Sequence, residues 1–488
     1  MPALGSTPTR RLWTLPSWGP CAALGGLGAA LVFLLAHRAL IDDAYITLDY
    51  ARSLARHGQW ALEPGHPANT ATSPLNVLLL AGLIVLSGAP VVSVGILLVA
   101  SLAATGAALS KICGRLGRSQ WLAAVAVSLL VVNPLLISTI GLETYLGIAL
   151  IAILGAVVVA RRPVAVGAVC GLLVLTRPDL AGFALAALIA VIASSPSRTR
   201  ARRAAQVMGV AGVVALPWFV VSWWWLGSAV PDTLLFKTSE VWTGDSFATG
   251  LWHYGRPYPV AVVLSVLPAA FGLVALATCS AVATRRRAGP AGLLAVVWGL
   301  GALLHITVYL LLRPPPYHWY YGPAIGSLSM LAVLSMGMCD RRLRWTGSTG
   351  GAVLIAATVM FLAARPWTLP PISTNWASAA QYAALAARAP SGTTVAAFGE
   401  VGTVAYFCHC TVVDRFSDRA HVAELLRARR AVASPAVRTL LDWNYYRFKA
   451  GPPMHPGYRL AFAEDPTGVP ATSFWRPQAG QMVVRPVG

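Results

Sequence analysis

Apolar runs long enough to cross a membrane dominate the first three quarters of this 488-residue chain. A transmembrane helix needs about 20 consecutive apolar residues, and only helices and closed barrels bond all of their backbone polar groups inside a bilayer. We therefore predict an all-α polytopic membrane protein with about eleven transmembrane helices. The predicted spans lie near 20–41, 73–110, 119–138, 142–160, 163–176, 180–194, 206–226, 258–283, 290–312, 322–339 and 347–365.

Two of these stretches leave the number of crossings open. Gly88-Ala89-Pro90 interrupts 73–110, and Arg177-Pro178-Asp179 interrupts 163–194, so each could be one broken span or two short ones. Counting 73–110 as one crossing and 163–194 as two puts every Arg cluster on the side of Arg10-Arg11. Because cytoplasmic loops are rich in Arg and Lys, we predict a plasma (inner) membrane protein with a cytoplasmic N-terminus and an extracytoplasmic C-terminus.

The basic charge of the chain follows from this arrangement. The formal net charge is +20, yet only 11% of the residues are charged and 57% are hydrophobic, whereas soluble proteins carry about 25% charged residues. The Arg residues cluster in short loops between apolar runs, so cytoplasmic retention explains them and we expect no nucleic-acid partner. The seven cysteines lack paired spacing, and we interpret Cys408 and Cys410 as packing residues rather than a metal site.

The composition changes in the last quarter of the chain, where the long apolar runs end. Helical patterns at 376–388 and 419–430 alternate with strand-like stretches at 394–398 and 411–414. Alternating helices and strands are typical of an α/β fold, and a segment of this length is within the usual size of a domain. We predict two domains, a transmembrane domain at 1–365 and a small extracytoplasmic α/β domain at 366–488.

The positions of the acidic residues are the main indication of chemistry. Ten of the 17 acids precede Arg365, and nine of these ten fall in the predicted outer loops. Asp42 and Asp43 open the loop at 42–72, where an apolar stripe at helical spacing predicts an amphipathic juxtamembrane helix on the membrane surface. One carboxylate of such a pair could take a proton from a substrate hydroxyl. The alternative is a solvated acidic cap at a helix start.

If Asp42 or Asp43 takes a proton from an attacking hydroxyl, the group that leaves the substrate carries negative charge. Cations on the same side of the membrane as the acidic pair would stabilise that charge. Lys237 is one of only three lysines in the chain, and it follows Trp223-Trp224-Trp225, which we interpret as an interfacial belt. Arg177 lies between two short apolar runs, where a structural salt bridge to Asp179 is the alternative. The candidate phosphate-binding residues are Lys237, Arg177, Arg256 and Arg313.

Other side chains of the outer loops are candidates for substrate contacts. Glu143 begins the fourth span and His318 lies in a loop rich in Pro and Tyr; a helix-start acid and an interfacial anchor are their alternatives. A divalent metal, Mg or Mn, on Asp42 and Asp43 stays open, because two carboxylates alone do not define a metal site. The candidate substrate-binding residues are Glu143, Asp179, His318 and Tyr45.

The order of these motifs resembles the GT-C superfamily of membrane glycosyltransferases, in particular the branch with the actinobacterial terminal arabinofuranosyltransferase. The resembling segments are DDAYITLDYARSLARHG at 42–58, TSPL at 72–75, GLET at 141–144, LTRPD at 175–179, VPDTLLFK at 230–237 and the GEVG-to-VVD stretch at 399–414. The resemblance implies a GT-C fold and an inverting single displacement on the outer membrane face, with Asp42 or Asp43 as the base. It also implies a polyprenyl-phosphate sugar donor and a role in cell wall biogenesis.

The donor sugar and the acceptor stay open at this point. Arabinofuranose and a mannose-like sugar are both candidates for the donor, and a cell-envelope glycan, a lipid or a protein for the acceptor. A transporter or flippase of lipid-linked saccharides is an alternative function, although the predicted spans hold few charged residues and show no internal repeat. A non-catalytic envelope-assembly protein is a further alternative, in which the acidic pair would not affect sugar transfer.

Overall fold

The structure is a computed structural model that describes residues 18–239, 244–283, 289–336, 341–397, 399–476 and 479–487. Most of the described chain is helical. Five described helices are long and apolar enough to cross a membrane, namely Gly19–Ala36, Pro90–Arg115, Ser197–Trp225, Pro259–Thr278 and Pro290–Leu312. Further apolar helices are shorter, at 10–17 residues each. The total of about eleven spans stays a prediction.

Seventeen α-helices precede the C-terminal part of the described chain. They are α1 (Gly19–Ala36), α2 (Asp42–His57), α3 (Pro74–Ser87), α4 (Pro90–Arg115), α5 (Gln120–Val132), α6 (Pro134–Ile137), α7 (Thr144–Val159), α8 (Pro163–Thr176), α9 (Ala181–Ser194), α10 (Ser197–Trp225), α11 (Thr233–Lys237), α12 (Gly250–Gly255), α13 (Pro259–Ala283), α14 (Pro290–Leu294), α15 (Gly301–Leu312), α16 (Gly322–Met336) and α17 (Arg341–Ala363). A π-helical stretch at Ala295–Leu300 joins α14 to α15, and a 3-10 turn at His318–Tyr321 precedes α16.

Close contacts at two glycines fix the packing of α1 against α4. A Cβ atom at Gly106 would collide with the backbone of Cys21, and one at Gly95 would collide with the ring of Phe33. Small residues allow helices in a membrane to approach this closely. The start of α1 therefore meets the end of α4, so the two helices are antiparallel. As a result α4 begins at the end of the bundle where α1 ends and Asp42 follows.

The two irregular apolar stretches both break where the sequence indicates. Gly88 ends α3 in the left-handed conformation with φ 70°, and Pro90 begins α4; glycine adopts positive φ without a Cβ clash, and proline suits the first turn of a helix. Arg177-Pro178-Asp179 separates α8 from α9, which confirms that 163–194 forms two helices. The prediction that 73–110 makes a single crossing of the membrane stays a prediction.

The chain after α17 forms a mixed sheet with helices. Its elements are α18 (Ala379–Ala386), β1 (Thr394–Ala396), α19 (Gly402–Phe407), β2 (Thr411–Val413), α20 (Arg419–Val432), α21 (Pro435–Asn444), β3 (Tyr458–Ala463), β4 (Val469–Pro470) and β5 (Gln481–Pro486). The strand order is β2-β1-β3-β5-β4, with β1 parallel to β2 and β3, and β5 antiparallel to β3 and β4. The predicted helices and strands of this part correspond to α18, β1, β2 and α20, and residue 398 lies outside the described residues.

The core of this C-terminal part is continuous with the core of the membrane part. The helix predicted in the 42–72 loop is α2, and it packs against both α3 and α19. Tyr45 of α2 contacts the rings of Tyr406 and Phe407 with centroid distances of 5.0 and 5.5 Å. Other parts of the protein therefore cover α2 on more than one face. A helix lying on the membrane surface through one apolar stripe, as predicted, would be covered on that face alone. The domain boundary at residue 365 stays a prediction.

The two cysteines at the end of α19 form a disulfide. Cys408 and Cys410 are bonded, with their Cα atoms 5.1 Å apart. The interpretation of these residues as ordinary packing cysteines is therefore wrong. Cys408 has extended backbone after α19, with ψ 144°, and the chain then turns back at His409. A spacing of two residues gave no sign of this, because the pairing depends on that turn and not on the cysteine pattern.

Candidate active site

The carboxylate of Asp42 holds the start of α19. Its Oδ2 atom accepts hydrogen bonds from the backbone N–H groups of Val401 and Gly402, both at 3.1 Å, and its Oδ1 atom accepts one from Thr403 at 2.6 Å. Asp42 is only 3% exposed. Gly402 packs so closely on α2 that a Cβ atom there would collide with Ile46 and with the Asp42 carbonyl. Asp42 thus joins the first outer loop to a segment 360 residues further along the chain.

The neighbouring residue Asp43 lines a polar cavity, which Asp42 also borders. Burial raises the pKa of the Asp43 carboxyl above its usual range, and the positive charge of Lys237 partly opposes this shift. Burial also raises the pKa of Asp42, to about 6, although the Thr403 N–H lowers it. The two adjacent carboxylates therefore differ in their surroundings. Asp42 is occupied by backbone donors, and Asp43 faces the cavity together with a cation.

The polar cavity has a volume of about 100 Å³ and is built from eight stretches of the chain. α2 contributes the acids, the segment after it contributes hydroxyl groups, and the breaks before α7 and α9 contribute Glu143 and Arg177. Its lining residues are Asp42, Asp43, Ile46, Thr47, Thr70, Ala71, Thr72, Ser73, Val77, Leu142, Glu143, Arg177, Thr233, Lys237, Tyr317, Trp319, Gly399, Val401, Asp414 and Phe416. Acids and cations predicted separately from the sequence thus meet in one space.

Arg177 is the centre of a buried hydrogen-bond network. It donates from Nη1 to Glu143 at 2.5 Å, from Nε to Asp179 at 2.8 Å and from Nη2 to the Tyr309 hydroxyl at 2.7 Å. Tyr309 in turn donates to Asp179 at 2.9 Å. The salt bridge to Asp179 that the sequence offered as an alternative is therefore present, together with a second one to Glu143. Buried, charge-assisted contacts to two carboxylates fix the guanidinium in place.

Lys237 ends α11 and lies over an aromatic loop. Its Nζ atom is 4.9 Å from the ring centroid of Tyr317, 5.6 Å from Trp319 and 5.7 Å from Tyr320. An ammonium group at such distances is stabilised by the electron-rich ring faces. Burial lowers the pKa of Lys237, but Tyr320 and Asp43 outweigh it, so the pKa lies above its usual value. Lys237 is therefore a cation throughout the neutral range.

A second cavity, of about 260 Å³ and mainly apolar, adjoins the first. Its lining residues are Thr72, Arg177, Pro178, Asp179, Val230, Pro231, Thr233, Leu234, Lys237, Thr238, Val308, Tyr309, Leu312, Pro314 and Tyr320. We call it the apolar groove. Four of these residues, Thr72, Arg177, Thr233 and Lys237, also line the polar cavity. The two cations therefore stand where the apolar groove and the polar cavity meet.

Four of the candidate residues lie elsewhere among the described residues. Arg256 and Arg313 are exposed and line neither cavity. His318 is fully buried, with Nε2 3.3 Å from the Ser138 carbonyl, and burial lowers its pKa to about 4. Tyr45 packs on the rings of Tyr406 and Phe407 within α19. A binding role for each of these four residues stays a prediction, because none of them lines the polar cavity or the apolar groove.

The structure also brings acids to the site that the sequence did not single out. Glu400 is 8% exposed and accepts a hydrogen bond from the Trp376 N–H at 2.5 Å; burial, with Asp42 next to it, raises its pKa well above the usual range. Asp414 lines the polar cavity and accepts hydrogen bonds from the N–H groups of Phe416 and Ser417. Both belong to the GEVG-to-VVD stretch at 399–414. The resemblance of that stretch to the GT-C family was the sequence signal that could have pointed to them.

A divalent metal finds little support in this arrangement. Within the part of the chain that the structure describes, no group of three or more His, Cys, Asp or Glu side chains is placed to hold a metal ion. Both carboxylate oxygens of Asp42 already accept backbone hydrogen bonds. A metal ion on Asp42 and Asp43 therefore stays an open prediction, and we derive no chemical step from one.

Comparison with known proteins places the fold. No family model and no curated protein matches the sequence. The crystal structure of ArnT from Cupriavidus metallidurans in the apo state matches with a TM-score of 0.59 at 15% identity, over 96% of this chain and 97% of that one. ArnT bound to undecaprenyl phosphate matches with a TM-score of 0.52 at 14% identity, over 96% and 98%.

An oligosaccharyltransferase from Archaeoglobus fulgidus is also similar, with a TM-score of 0.49 at 11% identity, over 92% of this chain and 70% of that one. At this level of identity the likeness to the two ArnT structures shows the fold alone. The narrower resemblance to the actinobacterial arabinofuranosyltransferase branch stays a prediction. Taken with the apolar helices, the match to ArnT over nearly the whole of both chains identifies a multi-pass membrane protein with the ArnT fold.

Proposed function

We propose that the chain is a membrane glycosyltransferase that moves a sugar from a polyprenyl-phosphate donor to an acceptor hydroxyl. One observation carries the proposal: the apolar groove and the polar cavity meet at Lys237 and Arg177, beside Asp43. A polyprenyl-phosphate sugar is apolar at one end, anionic in the middle and rich in hydroxyl groups at the other end. These three parts correspond, in order, to the groove, the two cations and the polar cavity.

The two cations have different parts in binding the donor phosphate. Arg177 already donates to two carboxylates, so much of its charge is neutralised and it acts mainly as a fixed donor. Lys237 is held by aromatic rings, and Asp43 is the acid that interacts with it across the cavity. Lys237 therefore supplies most of the positive charge for the phosphate. The ArnT structure with bound undecaprenyl phosphate supports a ligand of this class in the shared fold.

Asp43 is the proposed general base. The acceptor oxygen attacks the anomeric carbon of the sugar, and Asp43 takes the proton from the acceptor hydroxyl as the new carbon–oxygen bond forms. The bond between the anomeric carbon and the phosphate oxygen breaks, and its electron pair leaves with the polyprenyl phosphate. A single displacement inverts the anomeric centre. Cations close to the leaving oxygen stabilise the negative charge that develops there.

Asp43 is a better candidate than Asp42 because of what each carboxylate already binds. All three hydrogen bonds of the Asp42 carboxylate to α19 favour its ionised form and occupy both oxygens. Asp43 lines the cavity on the side of Lys237. We therefore assign Asp42 to positioning α2 against α19, which keeps Asp43 directed at the cavity, and Asp43 to proton transfer.

The finer parts of the proposal rest on sequence patterns. The donor sugar is arabinofuranose or a mannose-like sugar, and the acceptor is a cell-envelope glycan, lipid or protein, because the motifs at 42–58 and 399–414 resemble the arabinofuranosyltransferase branch. The Arg clusters favour a plasma membrane protein with the N-terminus in the cytoplasm. The site then lies on the outer face, together with residues 366–488.

The test is a transfer assay with the full chain in lipid nanodiscs. A panel of radiolabelled decaprenyl-phosphate sugars is supplied with envelope acceptors, and the release of decaprenyl phosphate is measured for the wild type and for Lys237→Gln. We expect turnover with one donor and a loss of about 10²–10³-fold in Lys237→Gln, the effect of removing one preorganised charge. Arg256→Gln is the matched control, because Arg256 is an exposed cation that lines neither cavity.

Two results would reject the proposal. Equal losses in Lys237→Gln and Arg256→Gln would mean that the cation at the junction has no special role. Absence of turnover with every donor, combined with movement of the intact lipid-linked saccharide across vesicle membranes, would establish the transporter alternative instead.

A further inference from the structure

Helix α21 presents an unusual apolar surface. No residue of α21 is buried, although its apolar side chains are spaced as in an amphipathic helix. Val437, Leu440 and Trp443 are 39%, 66% and 69% exposed, and Tyr446 just beyond the helix is 76% exposed. Large apolar side chains grouped in this way usually mark a contact with a partner or with a membrane.

The apolar surface of α21 continues into the end of a candidate membrane span. α10 is long and apolar enough to cross a membrane and is largely uncovered by protein. It ends in three tryptophans, of which Trp224 and Trp225 are 57% and 77% exposed. The third, Trp223, donates from its indole N–H to the Trp443 carbonyl at 3.1 Å, and its ring stacks on Tyr446 at 6.3 Å. Tryptophan and tyrosine concentrate at membrane–water interfaces.

The charge around α21 is strongly positive. From Leu425 to Lys449 the sequence contains six cations and one acid, Asp442, and that acid is already paired with Arg430. Arg447 lies over the ring of Trp224 at 3.8 Å, so one of these cations stands at the level of the tryptophans. A basic amphipathic helix with aromatic anchors is the type that lies in the interface of a membrane with anionic lipids.

We propose that α21, together with Trp224 and Trp225, docks on the bilayer surface next to α10 and binds anionic phospholipid headgroups there. The apolar side of α21 enters the boundary between headgroups and acyl chains, and the surrounding Arg residues contact lipid phosphates. This inference concerns the lipid surface around the protein and does not depend on the proposed transfer reaction.

Docking at α21 bears directly on the apolar groove. The side-chain oxygen of Asn444 accepts hydrogen bonds from the N–H groups of Ala229 at 3.0 Å and Val230 at 2.9 Å. Val230 lines the groove, and the same segment continues to Lys237. Phe236, next to that lysine, packs in a small apolar cluster with residues of α20 and Tyr445. The depth of α21 in the membrane therefore sets the height of the groove wall relative to the headgroups.

The test measures the depth of α21 in the full chain. A nitroxide label is attached to Leu440→Cys and, as the matched control, to Thr439→Cys, the neighbouring exposed residue on the polar side of the helix. The unsubstituted chain treated with the same reagent gives the background. In nanodiscs containing anionic phosphatidylglycerol we expect label 440 to lie about 5–10 Å below the lipid phosphates, with high access to oxygen and low access to a water-soluble nickel complex. Label 439 should show the opposite preference.

A second measurement tests the headgroup contact. Arg438→Gln combined with Arg447→Gln should make label 440 shallower in anionic nanodiscs and leave it unchanged in discs of phosphatidylcholine alone, while Arg459→Gln on β3 should have no effect. Equal access of both labels to the nickel complex would overturn the proposal, because α21 would then be in water. Protection of label 440 from both reagents would overturn it as well, since a protein surface and not lipid would cover the helix. If the depth of label 440 changes neither with the charge of the lipid nor with the paired substitution, the proposed headgroup contact is refuted.

Discussion

The polar cavity has an acidic wall and a cationic wall, and each divides its charges in the same way. The acidic wall consists of Asp42 and Asp43 on α2, and the cationic wall consists of Arg177 and Lys237. On each wall one residue is bound by the protein itself: Asp42 by three backbone N–H groups, and Arg177 by two carboxylates and Tyr309. The other residue of each wall, Asp43 or Lys237, faces the cavity.

This comparison shows that an adjacent or nearby pair of like charges need not share one role. A charge that is bound by fixed partners stabilises the geometry of its wall, and a charge that faces open space is available to a ligand. Substitutions on the two walls should therefore fall into two classes. Those at Asp43 and Lys237 should mainly lower activity, and those at Asp42 and Arg177 should also lower the stability of the fold.

The largest difference is expected between the two acids. Asp43→Asn removes the proposed base and should lower kcat by about 10²–10⁴-fold, with little change in thermal unfolding. Asp42→Asn should lower activity less and unfold at a lower temperature, because an amide N–H then meets the N–H groups of α19. Transfer assays and thermal unfolding in nanodiscs measure both. Equal activity losses in the two variants would break the division of the acidic wall.

The cationic wall should show its strongest effect in stability. Arg177→Gln leaves Glu143 and Asp179 buried without their cation, and the loss of one partner from a buried ion pair costs about 3–5 kcal/mol. Lys237→Gln leaves no such pair and should unfold near the wild-type temperature. The free energies of unfolding in denaturant are compared for the two variants. A stable Arg177→Gln would show that this arginine is not the structural member of its wall.

The contact between α2 and α19 can be tested by adding a single carbon. Gly402→Ala places a Cβ atom against the backbone of α2 at Asp42 and Ile46. Backbone cannot move as easily as a side chain, so we expect a loss of stability of about 1–3 kcal/mol and a lower kcat through misplacement of Asp43. Gly451→Ala, where the nearest atom to a new Cβ is 3.6 Å away, is the control. Normal activity in Gly402→Ala would mean that α19 does not position the acidic wall.

The smallest effect is the dependence of activity on pH. Burial raises the pKa of both acids of the pair, that of Asp42 to about 6. A base works only when it is ionised, so kcat/KM should fall as the pH drops through the raised pKa of the base, about tenfold per pH unit for one proton. A pH–rate profile from pH 4 to 8 measures this. A fall that begins only near pH 4 would show that neither carboxyl titrates as a buried group.

The sequence gives a good account of the elements and a partial account of the site. The break at Arg177-Pro178-Asp179 and the helix that begins at Asp42 follow from local patterns and are present. Glu143, Arg177, Asp179 and Lys237 were all chosen as candidates, and all line one or both cavities. They could be chosen because charged residues are rare beside apolar runs, so each one is conspicuous.

Four candidate residues line neither cavity, and the reason is physical. Arg256, Arg313, His318 and Tyr45 are of the same residue types and lie in the same loops as the residues of the site, yet they point elsewhere. The disulfide between Cys408 and Cys410 was missed for a similar reason, because it depends on how the chain turns after α19. Residue type and loop position indicate what a side chain can do, but not which space it faces.

The sequence by itself indicated that this chain spans a membrane, that its acids and its Arg clusters fall in alternate sets of predicted loops, and that the acidic pair follows the first apolar run. These are consequences of hydrophobicity and charge, which act over short stretches of chain. Only the tertiary structure decided that Asp42 binds α19 while Asp43 faces Lys237, since that division depends on contacts between residues 42, 237 and 403. Such contacts arise when distant segments pack together, and the packing is a property of the whole fold.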